Sequence, residues 1–427
     1  MLPLTATSDG MASSKHTLII GAGPLGLVLF KSLVLGLLLF QTLSFGNAQL
    51  SSQPVSSADL QFAPGQSASR IPFKRVGNFI YLHARVNDSE PLWFLLDTGA
   101  TASYFDVELA KALGLDKSIN NASLGFPGVK LLKQNFQLQP WRLGANNGQV
   151  AAGLLGYDFI SRFVVEIDYL RNIVTLHEPN SYKHSGSGEV IPLVLLEDDS
   201  GGKVPLVKVR ITQPTRAAIE GNFIADTAVR SAISFNTPFV DANKLLDSPQ
   251  QTIQVPIGAG TMVGESEQPI GRLQKIQLGR FKVNRPIGLF FQDKKGIVAS
   301  PEFDGVIGNE IWRRFKVIFD YSRQRMILEP NRHFSDFEEY DMTGMLLIAE
   351  GKDLKAFRIR RLIENSPATA AGLHEGDIIS AVDGKPTSNL TLEGVRRLFK
   401  QEGRSYRLTL SRDGQQIQTK IKLRRLI

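Results

Sequence analysis

The chain repeats a long stretch of its own sequence, and this repeat restricts the fold more than any other feature. The segment "GLLGYDFISRFVVEIDYLRNIVTL" at 153–176 aligns without gaps with "GVIGNEIWRRFKVIFDYSRQRMIL" at 305–328, with nine identities in 24 positions. Self-similarity at such a separation indicates two copies of one folding unit. We therefore expect two related lobes, each with its own version of the same local structure.

A second repeated element precedes each of these segments. The stretches "FLLDTGAT" at 94–101 and "FIADTAVR" at 223–230 both carry an Asp-Thr pair after an apolar run. Short apolar or alternating runs separated by turn residues are typical of β-strands, so the predicted fold is mainly β. The second stretch alone is consistent with an ordinary buried strand and turn. Because the order of elements repeats in both copies, that interpretation is insufficient.

The composition excludes several classes of site. The 427 residues contain no cysteine and only six histidines, none of them spaced as in a helical zinc site. Disulfide scaffolds, thiol nucleophiles and cysteine-held metals are therefore excluded, and we expect neither a metal nor a cofactor. The formal net charge of +8 is spread along the chain. This distribution favours a solvated surface over a nucleic-acid footprint, so we expect no nucleic-acid partner.

The N-terminal segment contains "LIIGAGPLGLVLF", whose glycines match a dinucleotide-binding fingerprint. That fingerprint needs a following amphipathic helix, a second strand and an acidic residue, whereas this segment continues into the apolar "KSLVLGLLLFQTLSFGNAQ". Residues 1–48 therefore indicate a signal peptide or an N-terminal membrane anchor, with cleavage after Ala48 and retention in the membrane both open. The Ser-, Gln- and Pro-rich residues 49–70 are predicted to form a flexible linker.

Residues 71–330 resemble a single-chain, two-lobed aspartic peptidase of the pepsin and retropepsin type. The stretch "FLLDTGA" carries the Asp-Thr-Gly-Ala signature of that family after an apolar strand. The stretches "GLLG" and "GVIG" match its element of two apolar residues and a glycine. The resemblance implies two duplicated retropepsin-like β lobes, at 71–180 and 190–331. The second lobe departs from the pattern at Ala228, where the first lobe has Gly99.

The resemblance implies that Asp97 and Asp226 face each other as the catalytic pair and activate water for hydrolysis of a peptide bond. Two neighbouring carboxylates cannot both ionise easily, so they share a proton and can act as acid and base. The resemblance also implies residues that support the pair, with threonines that interlock the two loops and small residues that allow close backbone approach: Thr98, Gly99, Thr227 and Ala228. Flaps over the substrate are expected in "LGFPGVKL" at 124–131 and "PIGAGTMVG" at 256–264.

Residues 342–427 resemble a small α+β PDZ domain. The stretch "NSPATAAGLHEGDIISAVDGKPT" carries the marks of that family, and "TLEGVRRLFKQ" is predicted to be the helix beside the peptide groove. Such domains bind a C-terminal peptide by adding it as a strand to a sheet edge. The resemblance places the peptide-binding loop at Gly344, Met345, Leu346 and Leu347, with Leu346 standing where a second glycine is common. The alternative is a packing module that binds no peptide.

The resulting hypothesis is an exported aspartic endopeptidase that is periplasmic, anchored to the cell envelope or secreted. Its expected partners are a peptide or protein substrate between the lobes and a C-terminal peptide at the PDZ domain. The alternative hypothesis is a catalytically weak peptide-binding or scaffold protein of the cell envelope, in which Ala228 cripples the site. The two hypotheses differ in the expected distance between the carboxylates of Asp97 and Asp226.

Overall fold

The computed structural model describes residues 59–427, apart from residue 118 and the segments 141–143, 145–146, 214–215, 248–250 and 258–265. The predicted signal or anchor at 1–48 and most of the predicted linker lie outside the described residues. Within the described residues, strands dominate and form three sheets, which confirms the mainly β fold. No helix in this part of the chain is long and apolar enough to cross a bilayer.

The first lobe consists of short strands and two short helices. Its strands are β1 (Leu60–Phe62), β2 (Ala68–Val76), β3 (Phe79–Val86), β4 (Leu92–Leu96), β5 (Tyr104–Asp106), β6 (Asn120–Phe126), β7 (Val129–Asn135), β8 (Gln137–Gln139), β9 (Gly153–Leu155), β10 (Val164–Asp168) and β11 (Ile173–His177). Its helices are α1 (Val107–Ala112) and α2 (Tyr157–Ile160). The first of these helices begins at Asp106, whose carboxylate accepts a hydrogen bond from the Leu109 N–H at 2.7 Å.

The second lobe repeats this plan with additional strands. Its strands are β12 (Glu189–Pro192), β13 (Val194–Glu197), β14 (Lys203–Thr212), β15 (Ile219–Ala225), β16 (Ile233–Phe235), β17 (Thr252–Ile257), β18 (Ser266–Arg272), β19 (Lys275–Leu278), β20 (Phe281–Asn284), β21 (Ile287–Phe290), β22 (Gly305–Ile307), β23 (Phe315–Asp320) and β24 (Arg325–Pro330). Its helices are α3 (Thr237–Ala242) and α4 (Asn309–Trp312).

The two lobes meet in a shared sheet with the strand order β12-β24-β23-β10-β11-β2. Its centre is the antiparallel pair of β10 and β23, in which Ile167 lies opposite Val317. The strands β11 and β24 flank this pair, and β2 and β12 lie outside them. The order therefore reads the same from either lobe, and the duplication in the sequence is present in the structure as an approximate two-fold relation.

The strands that carry the Asp-Thr turns are paired in the same way in both lobes. In the first lobe β4 pairs in parallel with β9, and β5 pairs with β9 from the other side in antiparallel fashion. In the second lobe β15, β22 and β16 have the same relation. Each Asp-Thr turn follows the strand that forms the parallel pair, β4 with β9 or β15 with β22. The topology thus brings the ends of two equivalent strands to equivalent places on either side of the two-fold relation.

The folded part of the first lobe begins earlier than the sequence indicated. The strand β1 pairs antiparallel with β7, and the ring of Phe62 packs edge-on against Phe163 with a centroid separation of 6.5 Å. The strand β2 already begins at Ala68. The prediction of a flexible linker over 49–70 is therefore wrong for these residues. The stretch "LQF" is short and its neighbours are polar, so the sequence did not indicate a strand. It forms one because the edge of β7 is available for pairing.

The C-terminal domain has its own sheet and its own hydrophobic core. Its elements are β25 (Met345–Glu350), β26 (Ala356–Leu362), β27 (Ile378–Val382), β28 (Lys385–Pro386), β29 (Ser405–Arg412), β30 (Gln415–Lys422), α5 (Pro367–Ala370) and α6 (Leu392–Leu398). The helix α6 has Thr391 as its N-cap, since the Thr391 hydroxyl accepts from the Gly394 N–H at 3.1 Å. This α+β domain agrees with the fold that the sequence predicted.

The C-terminal domain packs against the second lobe through an apolar cluster. Val255, Ile270 and Ile287 of the β17, β18 and β21 strands are buried there. They contact Tyr340 in the connector before the domain and the C-terminal residue Ile427. Burial of apolar surface of this kind is the main favourable contribution to association between domains. The domain is therefore held against the β17–β18 hairpin of the second lobe.

Candidate active site

The two aspartates of the repeated turns occupy equivalent positions. The Asp97 N–H donates to the carbonyl of Leu155 at 3.0 Å, and the Asp226 N–H donates to the carbonyl of Ile307 at 3.0 Å. Both acceptors belong to the duplicated "GLLG" and "GVIG" stretches. Each lobe therefore fixes the backbone of its own turn by a hydrogen bond within that lobe.

The carboxyl groups of Asp97 and Asp226 lie close enough together to shift each other's pKa, and a Cβ atom on Gly99, two residues after Asp97, would lie 2.4 Å from Asp226 Oδ2. The side chain of Asp97 is buried, and that of Asp226 is half-buried. The Gly99 N–H donates to Asp97 Oδ1 at 2.9 Å, and the Ala228 N–H donates to Asp226 Oδ1 at 2.5 Å. Each carboxylate thus accepts from the N–H group two residues further along its own turn, and Asp97 also accepts from the Ala100 N–H.

The two threonines tie the opposite turns together. The Thr98 N–H donates to Thr227 Oγ1 at 3.1 Å, and the Thr227 N–H donates to Thr98 Oγ1 at 3.0 Å. Each hydroxyl in turn donates to a carbonyl of the other lobe, Thr98 Oγ1 to Ala225 at 2.6 Å and Thr227 Oγ1 to Leu96 at 2.8 Å. These reciprocal bonds hold the two loops at a fixed separation.

The glycines of "GLLG" and "GVIG" are required by close backbone packing behind each turn. A Cβ atom on Gly156 would lie 2.2 Å from the carbonyl oxygen of Ala102. A Cβ atom on Gly308 would lie 2.4 Å from the carbonyl oxygen of Ser231. Such contacts do not occur between real atoms, so a larger residue at either position would push the turn out of place.

The aspartate pair holds a proton more tightly than isolated carboxyl groups do. Burial raises the pKa of Asp97 well above its usual range, and the negative charge of Asp226 raises this pKa further. Burial also raises the pKa of Asp226, to about 6, against the opposing effect of the Ala228 N–H. The pair therefore keeps one proton over a range of pH in which ordinary aspartates are fully ionised.

We expect the double variant Asp97→Asn/Asp226→Asn to be more stable than the parent protein above about pH 6. A carboxyl group with a raised pKa in the folded state costs nothing below its unfolded-state pKa of about 3.9, and it destabilises the fold progressively as the pH rises from there to the folded-state pKa. Asparagine removes this cost, which amounts to about 1–3 kcal/mol for a shift of one or two pKa units. Urea unfolding at pH 7.5 should show the gain, and at about pH 4 the two proteins should be equally stable. A double variant that is less stable than the parent at pH 7.5 would contradict the raised pKa values.

Two supporting residues were missed at the sequence level. Asn309 is buried at the start of α4, where its side-chain amide donates to the Thr227 carbonyl. The buried hydroxyl of Tyr169 donates to Asn309 Oδ1 at 2.6 Å, which links the second turn to the first lobe. The only sequence signal is the asparagine directly after "GVIG", at the position where the first lobe has Tyr157. A single difference between two repeats does not by itself indicate a role.

The structure changes the prediction of two flaps. The hairpin of β6 and β7 carries "LGFPGVKL", but Leu124 and Leu131 are buried in the main core. The turn of that hairpin contacts β2, because the Ser69 hydroxyl donates to the carbonyl of Pro127. The first flap prediction is therefore wrong, since the apolar alternation reflects packing inside the lobe. The hairpin of β17 and β18 carries the second predicted flap, and its tip lies outside the described residues.

The four predicted peptide-binding residues lie at the start of the C-terminal domain. Gly344 precedes β25, and Met345, Leu346 and Leu347 are its first three residues. Gly344 has a φ of 79°, which a residue with a side chain rarely adopts. A Cβ atom on it would also lie 2.3 Å from the Cβ of Ser366. The glycine is thus explained by packing, and a role in peptide binding stays a prediction.

Comparison with known proteins agrees with both parts of this description. Residues 82–159 match the model of an aspartyl protease family, and residues 358–412 match the model of the PDZ domain. A "Probable CtpA-like serine protease" from Staphylococcus haemolyticus is 24% identical over 173 residues, which cover 40% of this chain and 33% of that protein. The match therefore spans about a third of the length of that relative.

Two solved structures are similar at low scores. An aspartic proteinase from Irpex lacteus is 11% identical with a TM-score of 0.39, covering 63% of this chain and 99% of that one. A "photosystem II D1 C-terminal processing protease" is 21% identical with a TM-score of 0.19, covering 20% of this chain and 23% of that one. At these TM-scores the superpositions add nothing to the family matches. On the family matches, the chain combines a retropepsin-like aspartyl protease domain with a C-terminal PDZ domain.

Proposed function

We propose that the protein is an aspartic endopeptidase in which Asp97 and Asp226 activate a water molecule for attack on a peptide bond. The observation that carries this proposal is the close approach of two carboxyl groups, held by equivalent turns from two duplicated lobes. Neither a strand-and-turn motif nor a single buried aspartate would need reciprocal threonine bonds between the lobes.

The proposed chemistry follows from the single proton that the pair retains. The ionised carboxyl group removes a proton from water, while the protonated one donates its proton to the carbonyl oxygen of the substrate. In the resulting tetrahedral intermediate, the carboxyl group that took the proton from water gives it to the amide nitrogen. The carbon–nitrogen bond then breaks as the other carboxylate takes back the proton from the intermediate's hydroxyl, which restores the pair with its single proton. Both roles are filled by the same residue type because the two members of the pair are held in different protonation states.

Ala228 does not break this arrangement. Its N–H donates to Asp226 in the same way as the Gly99 N–H donates to Asp97. The alanine methyl group lies beside the apolar cluster that contains Ala100. The alternative of a crippled peptide-binding protein rested on Ala228, and the geometry of this turn gives it no support.

We expect a bell-shaped dependence of kcat/KM on pH, with an optimum that is mildly acidic to near neutral. Activity needs one proton on the pair, so it falls when a second proton binds at low pH and when the last proton is lost at high pH. Since the pKa of Asp226 is raised to about 6, the protonated pair persists to higher pH than two ordinary aspartates would allow.

The variant Ala100→Ser should move this optimum to lower pH by up to about one unit, because a hydroxyl that donates to the pair favours its ionised form. The measurement is the pH profile of initial rates on a fluorogenic peptide. Ala102→Ser, two residues along the same turn, is the matched control. An unmoved optimum in Ala100→Ser would show that the residue after the Asp-Thr-Gly triplet does not tune the pair.

We propose that residues 1–48 direct export, so that the peptidase acts in the periplasm, at the cell envelope or outside the cell. Substrates are unstructured peptide segments that can lie extended between the lobes, with the β17–β18 hairpin over them. The PDZ domain is the candidate site for a second contact with a protein substrate or ligand.

A further inference from the structure

The PDZ domain presents the groove in which such domains take up a peptide. One wall of this PDZ groove is β25, the outermost strand in its sheet, with Leu347 and Ala349 on one side of the strand. The other wall is α6, with Leu392 and Arg396 one turn apart on one face. A peptide added to the edge of β25 would lie between these four residues.

A loop of the first lobe reaches into the PDZ groove. A Cβ atom built on Gly148 would lie 3.9 Å from the Cβ of Ala349 and 3.9 Å from the Cβ of Leu392. The backbone of Gly148 therefore lies near both walls, about one methyl group away from contact with each. The φ of Gly148 is 87°, so the backbone enters this place in a conformation that favours glycine.

The helix closes the edge of β25 further along the groove. Arg396 Nη2 donates to the carbonyl oxygen of Leu347 at 2.7 Å. A peptide that adds as a strand needs the free carbonyl and N–H groups of this edge. The bond from Arg396 therefore occupies an acceptor that a peptide ligand would use.

Backbone N–H groups of the predicted peptide-binding loop, residues 344–347, are also hydrogen-bonded within the chain. Asp341 Oδ1 accepts from the Thr343 N–H at 2.8 Å and from the Gly344 N–H at 3.0 Å. The Met345 N–H donates to Thr343 Oγ1 at 3.0 Å. The carboxylate of Asp341 thus takes up backbone donors at the end of the groove where the terminal carboxylate of a peptide is expected.

The loop in the groove is connected to the candidate active site. Arg230 lies four residues after Asp226, and its guanidinium donates to the side chain of Asn147, next to Gly148. Ala151, three residues after Gly148, is buried in the same apolar cluster as Ala100 and Ala228. One short loop therefore contacts the PDZ groove on one side and both Asp-Thr turns on the other.

We propose that the PDZ groove is closed by the chain's own first lobe, and that a peptide with a free C-terminal carboxylate binds there only by displacing the loop around Gly148. The docked loop and the peptide compete for the same walls. The apparent affinity of the peptide is then reduced by the fraction of molecules in which the groove is open. Because the loop also contacts the Asp-Thr turns, occupancy of the groove and the state of the active site are linked.

The test is peptide binding to the full chain carrying Asp97→Asn and Asp226→Asn, which needs no hydrolysis and is thus independent of the proposed activity. The probe is a fluorescein-labelled decapeptide ending in Leu-Val with a free carboxylate. In this background Gly148→Leu adds a side chain whose Cβ alone would already contact both walls, at a φ of 87° that favours glycine, and Arg396→Met frees the Leu347 carbonyl. We expect each change to tighten binding about tenfold or more.

Matched controls separate displacement of the loop from general damage. Gly65 also has a positive φ, 74°, and a Cβ atom on it would have no other atom within 4 Å. Gly65→Leu therefore introduces a similar backbone strain at a place away from the PDZ groove. Arg397→Met removes the exposed neighbour of Arg396 on α6. Both controls should bind the probe as the unaltered background does, and a C-terminally amidated probe should bind to none of them.

Two outcomes would overturn the inference. Equal affinity of the unaltered background and the Gly148→Leu and Arg396→Met variants would show that the groove is already open. A lack of probe binding to all of them would show that the groove is no peptide site. Hydrogen exchange gives a second readout, because amide protection over 147–152 should fall when the probe saturates the protein.

Discussion

Replacing either Asp97 or Asp226 by asparagine is expected to lower peptide hydrolysis by about a thousandfold or more while the chain still folds. Asparagine preserves the shape of the side chain and can still accept the hydrogen bond from the Gly99 or Ala228 N–H. It cannot take up or release a proton. In the proposed mechanism the two carboxyl groups have different roles, so loss of either one should remove the reaction, and the double variant should be no worse than the single ones.

The measurement is the initial rate on a fluorogenic peptide, with folding checked by circular dichroism and urea unfolding. Asp116→Asn is a suitable control, since Asp116 is an exposed aspartate of the first lobe. It should retain the parent rate. Activity of Asp226→Asn close to the parent level would rule out the pair as the catalytic group.

The variant Gly99→Ala is expected to reduce activity by about a hundredfold or more. A Cβ atom on Gly99 would lie 2.4 Å from Asp226 Oδ2 and 2.6 Å from Asp226 Cγ. The carboxyl group of Asp226 would have to move, and displacement of a reacting group by about 1 Å can cost a factor of 10². Overpacking of this kind also destabilises the fold by about 1–3 kcal/mol.

The chain supplies its own control for this prediction at the equivalent position of the second lobe. There the residue is already alanine, and its N–H still donates to Asp226. Ala228→Gly should therefore keep the parent activity or raise it slightly by relieving contact with the substrate. If Gly99→Ala were as active as the parent, the close approach of Gly99 to Asp226 would be refuted.

The sequence contained most of the information on the site because its elements are local and occur twice. The Asp-Thr turns and the "GLLG" and "GVIG" stretches each predict one half of the pair, and their common order predicts the two-fold relation between Asp97 and Asp226. The PDZ domain has similarly local marks in its turns and its α6 helix. Motifs of this kind can be recognised in a sequence because each consists of residues that are neighbours in the chain.

Contacts between distant parts of the chain left no such signal. Gly148 is separated from Leu392 by more than two hundred residues, and a glycine in a polar loop is ordinary. Asp341 stands in an acidic connector, where nothing distinguishes it from its neighbours until its bonds to Thr343 and Gly344 are seen. The flap prediction for 124–131 was wrong because a hairpin with apolar residues is as typical of packing in a hydrophobic core as of a flap.

The most direct test of the account is digestion of an unbiased peptide library by the purified protein between about pH 4 and 7, with new termini identified by mass spectrometry. Phenylmethylsulfonyl fluoride and a chelator are present throughout, which removes serine- and metal-dependent cleavage. The account predicts internal cleavages that appear with the parent protein and are absent with Asp97→Asn/Asp226→Asn. No cleavage by the parent protein, or the same cleavages with the double variant, would contradict an aspartic endopeptidase.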